Sequence, residues 1–172
     1  MALAVRPIRL LGDPVLRQRA KRAPQVDASI QHLIDDMIDS MREASGVGLA
    51  APQIGVSLRV IVIEVPGEEV VALINPEIVK RSGQRRLEEG CLSIPGYRAE
   101  VPRSMGVVVK GLDRQGQPVR IKAKDDLLAH ALEHEIDHVN GVLYIDHLES
   151  LDELKRIEPE PGEEEEEVAA GP

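Results

Sequence analysis

The 172-residue sequence has no phenylalanine and no tryptophan, and its only aromatic residues are Tyr97 and Tyr144. A core made from such a chain is expected to be aliphatic. Cys91 is the single cysteine, which excludes an internal disulfide and leaves its thiol to packing, reactivity or metal binding. No run of about 18 apolar residues occurs, the length a membrane-crossing helix needs. The N-terminal stretch MALAVRPIRLLGDP lacks the long apolar segment and small-residue cleavage signal of a secretory leader. These absences lead us to expect a soluble, intracellular protein with no membrane partner. The length suits one ordinary domain and is short for two.

Charge is unevenly spread. The formal net charge is −9, and residues 158–172 (EPEPGEEEEEVAAGP) hold seven glutamates with no lysine or arginine, so taking away −7 leaves −2 for the rest. A run of like charges with Pro and Gly buries too little apolar surface to offset the entropy of ordering, so we read 158–172 as a disordered acidic tail following a globular domain over 1–157. The nearly neutral remainder shows no basic face built for phosphates, and direct nucleic-acid binding is not expected.

Several elements can be read locally. Asp27 can cap a helix whose apolar positions Ile30, Leu33, Ile34, Met37, Ile38 and Met41 form a stripe ended by Ser45 and Gly46. Residues 46–55 (GVGLAAPQIG) read as a loop of small residues that lets another backbone approach closely. Strand-like runs follow at 59–65, at 72–80 with a Pro interruption, and at 106–111. Residues 113–116 (DRQG) then make a turn into a run at 119–122. Asp125 or Asp126 can cap a last helix that Gly141 closes. A helix, several strands and a helix in this order predict an α+β domain, with the last helix packed centrally against antiparallel or mixed sheets.

That last helix carries His134-Glu135-Ile136-Asp137-His138, the pattern HExxH. Histidines four apart lie on one face of a helix, so both imidazoles can reach one metal ion. Glu135 is rotated by about 100° from His134 and can flank a metal-held water without being a ligand. A bare HExxH also occurs on surface helices, so a third ligand is needed. His130 extends the same face, but eight residues of rise, about 12 Å, separate it from His138, whereas metal–nitrogen bonds are about 2 Å. It reads as a pocket wall or an exposed histidine. The longer zinc-peptidase pattern HExxHxxGxxH fails because its last histidine falls on Tyr144. A downstream glutamate ligand would have to be Glu149, Glu153 or one from the tail, all in a charged C-terminal stretch. Upstream remains Cys91, in Glu89-Gly90-Cys91-Leu92-Ser93. A lone cysteine is most often a small buried hydrophobe, yet here it shares a chain with two histidines that lack a third partner.

Three segments together resemble the peptide deformylase family: residues 46–55 (GVGLAAPQIG), 89–93 (EGCLS) and 134–138 (HEIDH), in the family's order and roughly its spacing. Residues 12–17 (GDPVLR) resemble the family's N-terminal segment, and the similarity covers about 5–148. Two departures stand out: Glu133 where the family usually has Gln, and Asp126 where glycine is common. Neither removes a ligand.

The resemblance implies a cytoplasmic enzyme of bacterial type or, as the lesser alternative, an organellar one, which removes the formyl group from the initiator methionine of newly made polypeptides, with transient proximity to the ribosome. It implies one divalent metal, typically Fe²⁺ and replaceable by Ni²⁺, Co²⁺ or Zn²⁺, with Cys91, His134 and His138 as ligands. Glu135 would be the acid/base, with Gln53 and the Leu92 backbone N–H as oxyanion donors and Gly48 as the backbone contact aligning substrate. Val47, Leu127, His130 and Ala131 would line the methionine pocket, and a tight wall at Gly46, Val47 and Gly48 would exclude acyl groups larger than formyl.

Overall fold

The computed structural model describes residues 5–157. The acidic tail expected over 158–172 lies outside the described residues. The chain runs through α1 (Ala28–Glu43), β1 (Gly48–Ala50), β2 (Val60–Ile63), β3 (Val71–Ser82), β4 (Arg85–Cys91), β5 (Ile94–Arg103), β6 (Gly106–Leu112), β7 (Pro118–Lys124), α2 (Leu127–Val139) and β8 (Lys155–Arg156). Five strands form one sheet in the order β1-β2-β3-β6-β7, and three form a second in the order β4-β5-β8. This is the expected α+β class with α2 at its centre. Every ladder between these strands is antiparallel. The mixed alternative drops out, because no helical crossover joins two neighbouring strands of either sheet.

The alternating pattern of β2, VIVI, explains how two helices share one sheet. Val60 and Val62 face the α1 side with Leu33, Met37 and Met41, while Ile61 and Ile63 face the α2 side with Leu132, Ile136 and Val139. All four β2 residues are buried, as a strand covered on both faces must be. Both helices start as their sequences predict. The Asp27 carboxylate accepts from the Ile30 N–H at 3.2 Å and the Asp126 carboxylate accepts from the Ala129 N–H at 2.8 Å, which settles which aspartate caps α2. Gly141 follows α2 at φ 77°, and a Cβ there would stand 2.7 Å from the Arg17 carbonyl oxygen. Only glycine fits on both counts.

Two expectations need correction, one gains detail, and one hairpin was not anticipated. Residues 46–55 are not all loop: Gly48–Ala50 pair with Ile61–Ile63 as an edge strand, and a 3₁₀ turn, Ala51–Ile54, follows. The run broken by Pro76 is one strand with a register shift between Ile74 and Glu77. Asn75 takes φ 54° there, and its side-chain amide bonds the Ala23 backbone N–H and C=O at 2.8 and 3.0 Å. The β4–β5 hairpin is absent from the sequence reading because RRLEEGC and IPGYRAEVPR mix charges, Gly and Pro where a strand favours β-branched residues. The core is not wholly aliphatic, since Tyr144 is 1% exposed among Ile94, Val101 and Leu143. It fills the space between the smaller sheet and the chain leaving α2.

Candidate active site

The β4–β5 hairpin turns through two residues, Leu92 and Ser93, because Cys91 pairs with Ile94. That tight turn delivers the Cys91 thiol to the face of α2 that bears the two histidines. Cys91 Sγ lies 3.3 Å from His138 Nε2, and His138 Nε2 lies 3.2 Å from His134 Nε2. The three donor atoms lie within 4.8 Å of one another, and they are the only such cluster among the described residues. Tetrahedral ligands on bonds of about 2.1 Å stand about 3.4 Å apart, so two nitrogens and a sulfur at these separations fit one metal ion. His130 is outside the cluster, as helix rise requires, and so are Glu149 and Glu153. The Glu153 carboxylate instead accepts from the backbone N–H groups of Glu149 and Ser150 at 2.8 and 3.1 Å.

A buried carboxylate that the sequence reading left without a role organises the histidines. Glu89 Oε2 accepts from His134 Nδ1 at 2.6 Å and from the Arg103 guanidinium at 2.6 Å. Its other oxygen accepts from Arg103 Nε at 2.8 Å and from His130 Nε2 at 2.5 Å. With Nδ1 held as the donor to Glu89, Nε2 is the nitrogen turned to the cluster and the one that would give up its proton to a metal. Burial pushes the Glu89 carboxyl up, but its bonds to His130, His134 and Arg103 outweigh burial and hold it well below the ordinary carboxylate range. Arg103 also donates to Asp137 at 2.8 Å, and Asp137 accepts from His147 at 2.8 Å. Together they form a charged chain running beneath the helix.

The histidines themselves are driven apart. Burial opposes charge on His134, but the Glu135 and Glu89 carboxylates and the Cys91 thiol outweigh it and raise its pKa well above the usual value. Burial, reinforced by the neighbouring His134 charge, holds His138 well below that value. Glu135 is 4% exposed, its Oε1 has no partner, and burial pushes its pKa up to about 7 despite the pull of His134. A buried carboxyl with an unused oxygen and an intermediate pKa is what proton transfer near neutrality needs.

Gln53 is fixed from β1. Its Oε1 accepts from the Ala50 N–H at 2.9 Å, which aims its amide at Ser93 Oγ, 3.1 Å away, and at Cys91 Sγ, 3.7 Å away. A cavity of about 350 Å³ opens beside these groups, bordered by Gly46, Val47, Gly48, Gln53, Cys91, Leu92, Leu127, His130, Ala131, His134 and Glu135. Every residue expected to touch substrate therefore lines this one cavity, and the buried His138 completes the cluster without bordering it. The two departures from the family pattern act elsewhere. Asp126 caps α2, and the buried Glu133 accepts from the Ser104 N–H at 2.6 Å and pairs with Arg81 at 3.3 Å. Gln53, Cys91, Ser93 and Glu135 belong to motifs readable in sequence, whereas Arg103 and His147 carry no local signal.

Known proteins resemble this chain over most of its length. A peptide deformylase of Dehalococcoides mccartyi (strain CBDB1) is 56% identical over 159 residues, spanning 92% of this chain and 95% of its own. The crystal structure of a peptide deformylase from Legionella pneumophila superposes with a TM-score of 0.84 at 44% identity, covering 98% of this chain and 99% of that one. The Met-Ala-Ser-bound structure of a class I type b peptide deformylase from Acinetobacter baumannii superposes at 0.82 with 33% identity, covering 86% of this chain and all of that one (100%). Residues 5–154 match the family described as Polypeptide deformylase, and with those relatives the match places this chain in the polypeptide deformylase family.

Proposed function

We propose that this chain removes the N-formyl group from newly synthesised polypeptides with one divalent metal held by Cys91, His134 and His138, and with Glu135 moving the proton. Membership of the family makes it a metal-dependent hydrolase acting on N-formylated nascent peptides; the roles of individual residues are the proposal. The convergence of one sulfur and two nitrogens beside the unpartnered Glu135 carboxylate carries it.

The metal, when bound, supplies Lewis acidity that makes water a nucleophile near neutral pH and polarises the formyl oxygen. The chain's own groups do the rest. Glu135 accepts the proton of the attacking water and returns it to the departing amine, so that formate and a free N-terminal methionine result. The Gln53 amide and the Leu92 backbone N–H stabilise the growing negative charge on the formyl oxygen. Gly46, Val47 and Gly48 form the close wall that a formyl hydrogen clears and an acetyl methyl does not. Leu127, His130 and Ala131 take the methionine side chain. Because β1 is a sheet edge, the peptide backbone adds beside it as a further strand, which leaves selectivity beyond methionine loose. The Acinetobacter relative bound to Met-Ala-Ser supports a ligand of that type for this cavity.

Ferrous iron is the metal we assign, with Ni²⁺, Co²⁺ and Zn²⁺ as substitutes, because a thiolate with two imidazoles accepts all four. The cytoplasm, where nascent chains are made, is the assigned compartment. Among the described residues no helix is long and apolar enough to cross a membrane. We assign 1–157 as the catalytic domain and 158–172 as a dispensable extension. The test is anaerobic formate release from formyl-Met-Ala-Ser, with metal content determined on the same sample. Stoichiometric metal without formate would overturn the reading.

A further inference from the structure

The face of the larger sheet turned away from α2 carries a cationic groove that the charge balance of the sequence conceals. In the ladder, Lys80 of β3 stands opposite Val108 of β6, which stands opposite Lys122 of β7. The adjoining rows are Ser82–Gly106–Lys124 and Glu77–Lys110–Arg120. Residues paired across a ladder share a face, so Lys80, Lys110, Arg120, Lys122 and Lys124 all project to one side. Val107, Val109 and Ala123, between them in sequence, point into the core instead. Gly106 and Val108 floor a groove of about 390 Å³ between the Lys80 wall and the Lys122–Lys124 wall.

These cations are left unneutralised by the body of the protein. Among the described residues only Lys110 of the five has a carboxylate within ion-pair distance, Glu77 at 3.7 Å, whereas Arg6, Arg42, Arg86 and Arg114 on other surfaces each hold one. Lysines on an edge strand discourage unwanted pairing, and both β7 and the Glu77–Ser82 part of β3, which pairs with β6 alone, are edges; edge protection does not by itself gather Lys80, Arg120, Lys122 and Lys124 around one groove. No aromatic side chain borders the groove, so it offers nothing for bases to stack on, and no large apolar side chain rises from it to enter a bilayer. What it fits is a strand of closely spaced negative charges.

We propose that this groove is the docking site of the chain's own acidic segment, with residues 163–167, five consecutive glutamates, set against Lys80, Arg120, Lys122 and Lys124. Charge complementarity and reach select this occupant. The described chain ends at Ile157, which borders the same cavity as Leu127, and Leu127 is three residues past the end of β7. Three Cα steps of about 3.8 Å and the width of that cavity put Lys124 on the order of 20 Å from Ile157. Residues 158–162 can span up to about 17 Å and residues 158–167 up to about 35 Å, so the glutamate run covers the required distance. A tethered segment also acts at roughly millimolar effective concentration, so any polyanion from outside must compete with it.

Zero-length carbodiimide crosslinking of the full chain with peptide mapping tests the contact. Amide crosslinks are expected from residues 163–167 to Lys80, Lys122 or Lys124 at low salt, and they should vanish near 1 M salt, where the Debye length is about 3 Å. Lys21, exposed and without a carboxylate partner among the described residues, is the internal control. A single-stranded RNA oligonucleotide is then titrated against the full chain, the chain ended after Ile157, and the ended chain carrying K80Q, K122Q and K124Q. Removing the segment should raise RNA affinity at least about tenfold at low salt, and the three substitutions should abolish that gain and lower the salt slope by about three. Crosslinks to Lys21 as frequent as those to the groove lysines would overturn the proposal. So would equal RNA affinity of the full and ended chains; if the three substitutions then abolished binding in both, the groove would belong to an external nucleic acid.

Discussion

Gly48→Ala isolates the placement of Glu135 from every other property of the site. Gly48 is outside the left-handed region, so alanine adds no backbone strain, and the substitution acts only through the new methyl group. A Cβ at this position would lie 2.5 Å from Glu135 Oε2 and 3.1 Å from both Cδ and Cγ. Carbon contacts settle at about 3.5–4.0 Å, so the carboxylate must retreat by roughly 1 Å. It has little room to do so, since Glu135 is 4% exposed. Overpacking of this kind costs about 1–3 kcal/mol, which for a domain of this size lowers Tm by roughly 2–12 °C. A misplacement of 1 Å in a reacting group costs about a hundredfold in rate. We expect kcat on formyl-Met-Ala-Ser to fall about a hundredfold, with KM within about threefold and metal content unchanged, because neither the ligands nor the Gly48 backbone is altered. Steady-state formate release, metal analysis and a thermal melt read all three. A kcat within threefold of the parent would refute the reasoning, as would a loss carried by KM alone. Gly46→Ala is the companion: its Cβ would meet Leu92 Cδ1 at 2.8 Å, and a methyl at the end of a side chain can swing aside, so less than about tenfold should be lost.

Glu135→Gln should keep stoichiometric metal and lose at least about a hundredfold in turnover, the usual contribution of a positioned acid/base; near-parental activity would remove Glu135 from that role. Cys91→Ser should weaken metal binding sharply, since a neutral hydroxyl replaces an anionic soft ligand, and full occupancy in a chelator competition would refute it. Arg103→Ala should cost about 3–5 kcal/mol, because it strands the buried Glu89 and Asp137 charges; a urea midpoint close to the parent's would show that the network is not held by Arg103. Acid should expose the same network in the metal-free protein. Glu89 and Asp137 are both held below the ordinary carboxylate pKa in the fold. Their stabilisation is therefore complete above about pH 5, falls as pH drops through the ordinary range near 4, and continues to fall toward their folded values. Unfolding midpoints that do not change between pH 6 and pH 3 would contradict this.

What could be read from sequence was local. The α1 stripe, the Asp27 and Asp126 caps and the pair of histidines on one helical face all depend on neighbours within one turn, so their geometry follows from spacing alone. Glu89 could be quoted as part of a motif but not understood, because its partners Arg103, His130 and His134 are 14, 41 and 45 residues away. Only the hairpin and the central helix together bring them near. The hairpin itself was hidden by its charged, Pro-containing strands. The cationic face escaped for a related reason: Lys80, Lys110 and Lys122 come from three strands, and a charge sum over residues carries no information about which side of a sheet they leave.

The wall of the catalytic cavity draws on residues from Gly46 to Ile157, and the sulfur and the histidines that face it arrive on a hairpin and a helix packed together only by tertiary contacts. Synthesis begins at the N-terminus, so the thiol exists for many residues before either imidazole, and a partly made chain has one good ligand and no site. On the proposed ligand set, metal capture is then the last event of maturation rather than a seed for it, and each captured ion would tie the edge strand β4 of the smaller sheet to helix α2, which packs on the larger one. Occupancy becomes a gauge of global integrity: the ion is retained only while both halves stay docked, and its release under denaturant should coincide with the main unfolding transition rather than precede it.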